Sequence, residues 1–326
     1  MRACGLGVAL VLVLSSCATG RLRDGSIDVA TTSVPLSTDP ATVAAGELRY
    51  LGGVVLSSRV RGFGGFSGLR VRDDGWALAV SDTGLWAGFR LVEQGERLVG
   101  ISSFHLAPIL DEQGHGPASK SAVDAESVEL GLDGTAVVSM EQDHRFQRYS
   151  GIDPARPASF AALPTAVTRP AFMANWPRNG GAETHALVGP ETDLTISEDA
   201  ETAPGIREAV LTIAGQKRRF GYRTPPGFAP TDAVGLGDGR ALILHRRFSK
   251  ADGASAIVAI ADFGRTNEGD IVFPREIARF APPLTVDNME GIAVRRSGAR
   301  TFVYLISDNN QNKAQRTLLL KFELAR

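Results

Sequence analysis

Short runs of β-branched and aliphatic residues alternate with polar breaks along most of this chain, and helical periodicity is scarce. Five segments share one plan: an anchor residue, a small residue, a short strand, a turn, a second apolar strand and a polar stop. They run from Ser67-Gly68-Leu69 to Ser81-Asp82, from Glu126-Ser127-Val128 to Met140-Glu141, and from Glu183-Thr184-His185 to Ser197-Glu198. The last two run from Asp232-Ala233-Val234 to Leu244-His245 and from Glu290-Gly291-Ile292 to Ser307-Asp308. Asp74-Gly75, Asp133-Gly134, Asp238-Gly239 and Ser297-Gly298 predict tight turns, because glycine accepts the positive φ such turns need. The third repeat has Gly189 to Thr192 instead, a looser turn. The turn glycine falls 8 residues past the anchor in the first, second and fifth repeats and 7 past it in the fourth. The stop falls 15 residues past the anchor in the first three, 13 in the fourth and 18 in the fifth. Each repeat is thus a hairpin whose open ends meet.

Anchors at 67, 126, 183, 232 and 290 are spaced 59, 57, 49 and 58 apart. The 36 residues after Glu290 and the 22 between about Ala45 and Ser67 make up one further interval of 58. A last repeat completed by the chain's own beginning is what a closed radial array requires, since no sheet edge is then left open. The pattern predicts an all-β fold, a β-propeller of five blades, with Thr317 to Leu324 and the segment near Gly46 closing one blade. The long intervals also leave room for a sixth, degenerate blade.

The 326 residues carry 35 Lys and Arg against 36 Asp and Glu, a formal net charge of −1, so no basic field exists to hold nucleic acid. The first sixteen residues change the picture more. Arg2, an apolar run from Leu6 to Leu14 and then Ser15-Ser16-Cys17 have the layout of an export signal, and Leu14 to Cys17 resembles the bacterial lipobox. The expectation is a signal peptide over 1–16, cleavage before Cys17, and lipidation of Cys17. A Thr-, Ser- and Asp-rich tether over 17–43 and a propeller domain over 44–326 would follow. Acyl chains on Cys17 would anchor a monomer in the cell envelope without a membrane span. Ala18, rather than an aspartate, after the cysteine favours the periplasmic side of the outer membrane.

Eight of the ten anchor and stop positions are carboxylates: Asp82, Glu126, Glu141, Glu183, Glu198, Asp232, Glu290 and Asp308. Equivalent strand ends of a propeller gather around one face of the central channel, so these acids are expected to converge. Like charges at close quarters raise each other's pKa, each close pair costing roughly 1–4 kcal/mol, and a hard cation relieves that. Oxygen donors without cysteine point to Ca²⁺ before Mg²⁺ and away from Zn²⁺. All eight are candidate metal ligands, with Glu126 and Glu141 doubling as catalytic carboxylates. His144 and His245, close to stops, are candidate acid–base groups, and Arg145, Arg246, Arg247 and Lys313 are candidate grips for a phosphate. No Gly-x-Ser-x-Gly nucleophile elbow is present, and the glycines of Gly235 to Gly239 lie across a hairpin turn.

Phe63-Gly64-Gly65-Phe66-Ser67-Gly68-Leu69 with Val80 to Gly84, Asp124-Ala125-Glu126-Ser127 with Ser139 to Glu141, and Asp287 to Ile292 with Ser307 to Asn310 and Thr317 to Leu320 are similar to the phytase-like (esterase-like) propeller family of exported bacterial proteins. The resemblance covers roughly Gly46 to Leu324 and departs at His245, where the family pattern has a glutamate within Leu-Glu-Arg. It implies a propeller with a channel metal and hydrolysis of phosphate or carboxylic esters. Two functions are therefore carried forward: a Ca²⁺-dependent ester hydrolase acting on small-molecule esters, phosphomonoesters favoured, and a non-catalytic propeller whose channel metal is structural and which binds a ligand or a partner protein.

Overall fold

The computed structural model describes residues 26–325 and is a five-bladed β-propeller. Blade 1 comprises Phe66–Val71, Trp76–Ser81, Leu85–Gln94 and Arg97–Pro108, in sequence order from the axis outward. Blade 2 comprises Ala125–Leu130, Ala136–Met140, Arg145–Tyr149 and Ala166–Thr168. Blade 3 comprises Thr184–Gly189, Thr192–Ala203, Ile206–Ile213 and Gln216–Arg223, with Ile271–Val272 added parallel at its edge. Blade 4 comprises Ala229–Gly235, Arg240–Ser249, Gly253–Asp262 and Arg275–Phe280. Blade 5 takes Asn288–Ser297, Arg300–Asp308 and Thr317–Leu324 from the end of the chain and Leu48–Ser57 from its beginning. The terminal strand and the early strand pair antiparallel from Thr317↔Leu56 to Leu324↔Leu48, which is the predicted closure. The extra length of the repeats lies in strands of up to 12 residues and in loops, and the described residues form no sixth blade.

Alternation along each strand gives every blade two apolar faces, and consecutive blades pack face to face. Phe66, Phe89 and Phe104 of blade 1 meet Tyr304 and Leu319 of blade 5, while Leu242 and Val258 of blade 4 meet Leu305 and Phe322 of blade 5. Burying a side chain of this size contributes roughly 1.5–3 kcal/mol, so these layers supply the rigidity that holds the channel in shape. The predicted hairpin glycines sit in left-handed backbone, Gly75 at φ +82° and Gly134 at φ +79°.

The expected tether requires correction for residues 26–43. Ala30–Ser33 pairs antiparallel with Leu48–Ser57, Ile27 and Leu36 are buried, and Ser37 bridges to Leu284. The outer edge of blade 5 offers unpaired backbone groups, and this segment covers them. The signal peptide, Cys17 and the first part of the tether lie outside the described residues. No helix among the described residues is long and apolar enough to cross a membrane.

Candidate metal centre

In every blade but the third, the inner two strands meet at the channel mouth with a kink in register. The ladder skips Ser67 between Phe66↔Ser81 and Gly68↔Val80, Glu126 between Ala125↔Met140 and Ser127↔Ser139, and Glu290 between Met289↔Ser307 and Gly291↔Ile306. A bulge re-aims the side chain it carries, and here it puts these anchors beside the stops of their own hairpins, while Glu183 of blade 3 stands just ahead of its strand.

The result is an acidic cup of about 570 Å³, lined by Ser67, Asp82, Glu126, Glu141, Glu183, Glu198, Glu290 and Asp308 together with Lys120, Asp124, Gln142, Asn179 and Arg246. Carboxylate oxygens of Asp124, Glu126 and Glu141 lie within 4.8 Å of one another, and so do those of Glu141, Glu183 and Glu198. Two acidic groups sharing Glu141 could therefore hold a metal ion. Glu141 Oε1 accepts the backbone N–H groups of Gly180 and Gly181, the latter at 2.7 Å. Gln142 Nε2 donates to Asp124 Oδ2 at 2.9 Å. Two cations enter the ring from opposite sides. Lys120 Nζ bonds Asp82 and lies 3.8 Å from Asp124, while Arg246 Nη2 lies 3.1 Å from Glu198 and its Nε 2.9 Å from Glu290.

Burial, reinforced by neighbouring carboxylates, pushes Glu126 and Glu183 well above the usual carboxylate range. Burial also raises Glu141 and Asp82, the latter against the opposing pull of Lys120. Glu290 is lifted to about 8 by burial despite Arg246 beside it, and Asp308 to about 6 by burial and Asp82. A cup that holds several carboxyl groups against their ordinary ionisation is short of positive charge.

A family model described as "Phytase-like: Esterase-like activity of phytase" matches residues 61–311. This chain belongs to the phytase-like family. Within the phytase-like match lies every residue of the cup, while both strands that close blade 5 at the chain ends fall outside it. No curated protein matches the sequence. Among solved structures, a family AA12 carbohydrate-active enzyme of Trichoderma reesei is similar over 90% of this chain and 95% of its own, at 9% identity and a TM-score of 0.43. A gluconolactonase of Xanthomonas campestris is similar over 89% and 97%, at 12% identity and a TM-score of 0.44. At these values the likeness carries nothing about activity.

In this phytase-like chain the structure brings together seven of the eight acids proposed as metal ligands, and leaves Asp232 out. Asp232 is fully buried deeper in the channel, accepting N–H bonds from Ala233 and Ile292 and pairing with Arg70 at 3.2 Å. Arg70 crosses the channel there, donating to the carbonyls of Leu69, His185, Ala233 and Ile292 and to Glu129. One guanidinium thus ties all five inner strands below the cup. The cause of the misplacement is register. Blade 4 skips Thr231, between Pro230↔His245 and Asp232↔Leu244, so Thr231 is its anchor and Arg246 its stop. Counted from Thr231, the turn glycine Gly239 falls at the same offset of 8 as in blades 1, 2 and 5, and the stop at the offset of 15 found in blades 1 to 3.

The same slip removes His245 from the site. It occupies the buried position before the stop, as Ser81 and Ser307 do, bonds Tyr222 through Nε2 at 3.0 Å, and is pushed down to about 3 by burial. His144 is also turned away from the cup, its Nε2 3.3 Å from the carbonyl of Trp176. Of the four basic candidates only Arg246 lines the cup. Arg145 pairs with Asp143 and Arg247 with Asp252, while Lys313 is exposed on a loop. Lys120, Asp124, Gln142 and Asn179 were missed. Asp124 and Gln142 flank an anchor and a stop, which was a usable signal; Lys120 opens the short helix Lys120–Val123 and Asn179 lies in a loop, and no repeat marks either.

Proposed function

We propose that the cup holds a divalent cation, Ca²⁺, and that the protein is a metal-dependent hydrolase of small-molecule esters with phosphomonoesters favoured. The observation that carries this reading is a crowd of buried oxygen donors that lacks neutralising charge. Asp82 Oδ1 and Asp124 Oδ1 are buried without a hydrogen-bond partner among the described residues, and the remaining donors are carboxylates, the ligands a hard cation takes. Asp124, Glu126, Glu141, Glu183 and Glu198 would hold the ion. When bound, it would offset the negative charge of a phosphate and acidify a water to serve as nucleophile.

The chain's own groups have distinct tasks. Gly180 and Gly181 fix Glu141 through their N–H bonds, and Arg246 fixes Glu198, so the donor set is held in place before the ion arrives. Lys120 and Arg246 stand on opposite sides of the cup with N–H groups able to meet phosphate oxygens. Glu290 Oε1 accepts from Asn288 Nδ2 and lies 2.9 Å from Arg246 Nε in an ion pair, which leaves Oε2 for a proton to pass to the departing oxygen. On this reading the anchor at Cys17, expected from the sequence, would present the cup at the envelope.

The test is phosphate release from a panel of phosphomonoesters, and acid release from carboxylic esters, each with Ca²⁺ and with chelator. Ca²⁺-dependent turnover supports the reading. Tight Ca²⁺ binding without turnover of either class would instead assign a structural ion to a non-catalytic propeller.

A further inference from the structure

A second cleft, of about 950 Å³, opens between blades 3 and 4 on the same face as the cup, and Arg246 lines both. Its composition differs sharply from that of the cup. Phe248 and Phe273 line it while 67% and 68% exposed, unusual for two phenylalanines on one cavity wall. Phe228, buried at its base, is flanked by the guanidiniums of Arg247 and Arg279 at 5.2 and 5.3 Å from its ring centre. Arg247 is paired with Asp252. Arg223 is different: its Nη1 donates to the carbonyl of Pro204 at 3.1 Å, and no carboxylate lies within ion-pairing distance of it among the described residues.

Exposed aromatic faces take up planar rings, and a guanidinium without a carboxylate partner takes up an anion. We propose that this cleft seats the organic body of the ester, and that the body is an aromatic ring bearing its own negative charge. The inference rests on the cup being the reacting end: with the ester group over the acids, Arg246 is the threshold across which the rest of the molecule extends. Phe248 and Phe273 would cover the ring and Arg223 would meet the charge.

The test is calorimetric titration of the full chain with 2-naphthoate, once with Ca²⁺ and once with chelator. Acetate and 2-naphthamide serve as the charge without the ring and the ring without the charge. Saturable binding of 2-naphthoate is expected in both conditions, at least tenfold tighter than either comparator. Arg223→Glu and the double variant Phe248→Ser/Phe273→Ser are each expected to weaken it at least tenfold. Both phenylalanines are exposed, so an unchanged thermal midpoint verifies that these variants fold. No saturable binding in either condition would overturn the proposal. So would affinity untouched by the variants, affinity matched by the amide, or binding confined to the Ca²⁺-loaded protein, which would place the anion in the cup. Failure of the metal reading appears elsewhere, as a thermal midpoint indifferent to Ca²⁺, and leaves the titration with chelator intact.

Discussion

Stripped of divalent ions, the protein should lose stability as the pH rises from about 6.5 to about 8, the opposite of the usual behaviour of carboxylates held by ion pairs. Glu290 titrates at about 8 in the folded chain, against 4.5 as a free side chain. Between those values the folded state keeps a proton that the unfolded state has released. Its contribution is therefore complete below the lower value and is lost as pH rises through the upper one. At about 1.4 kcal/mol per pH unit per proton, Glu290 alone removes on the order of 2 kcal/mol across this window. Glu126 and Glu183, also raised, act in the same direction. The window avoids two confounders. Glu323 is held at about 2 by its arginine partners and has finished titrating, and His245, lowered to about 3, stabilises with rising pH only below its unfolded value of 6.5. Asp232, at about 7, adds a smaller loss in the same direction, which no ion in the cup can reverse because Asp232 lies outside it.

For a domain of this size 1 kcal/mol corresponds to roughly 2 °C, so the metal-free midpoint should fall by about 4 °C or more. Ca²⁺ should remove most of that fall, because binding requires the carboxyl groups deprotonated. The Ca²⁺-induced rise in midpoint must then be larger at the upper pH. Differential scanning fluorimetry at the two pH values, with Ca²⁺ and with chelator, reads all four quantities. A metal-free midpoint that stays level or climbs, with an equal Ca²⁺ gain at both, would refute the argument that the cup lacks positive charge.

Glu126→Gln should raise the metal-free midpoint at the upper pH by about 1 kcal/mol equivalent while cutting the Ca²⁺-induced gain, a pair of opposite signs that a packing defect cannot produce. Glu290→Gln should lower kcat by about a hundredfold or more on any ester that is turned over, with Ca²⁺ affinity changed far less, as measured by steady-state kinetics beside calorimetry. Arg70→Met leaves Asp232 and Glu129 buried without their partner and should destabilise by roughly 3–5 kcal/mol in chemical denaturation. His245→Phe strands the buried Tyr222 hydroxyl and should lower stability by about 1–3 kcal/mol, with the Ca²⁺ response and turnover intact.

What the sequence made legible was whatever repeats. Turn glycines, alternating strands and interval lengths are local signals that recur, and their recurrence pointed to five blades, with a sixth left open, and to a blade closed by the segment near Gly46, which the structure places at Leu48–Ser57. The acids at anchors and stops repeat with the hairpins, so seven of them could be placed without coordinates. Lys120 and Asn179 belong to insertions between blades, where no second copy exists to give them meaning, and the pairing of Ala30–Ser33 with blade 5 is a long-range contact that a Thr-rich stretch does not announce.

In the fourth blade the residue offsets themselves oppose the alignment that makes Asp232 an anchor. Matching Asp232 to the acidic anchors required a turn offset of 7 where blades 1, 2 and 5 had 8, and a stop offset of 13 where blades 1 to 3 had 15. Side chains along a strand change face with every residue, so on the second strand a shift of one position exchanges Arg246 in the cup for His245 in the blade interior, while Asp232, just past the bulge, stays in the channel below the cup. Thr231 and Arg246 restore both offsets at once. The chemical meaning is then reversed: blade 4 gives the cup no carboxylate and supplies instead a guanidinium bound to Glu198 and Glu290. The ring is asymmetric by construction. Acids from blades 2 and 3 form the two donor groups, while Arg246 with Glu290 occupies the side that leads into the aromatic cleft. A symmetric ring of carboxylates would bind an ion and nothing more, whereas one broken by an arginine has a direction from which a negatively charged substrate can enter.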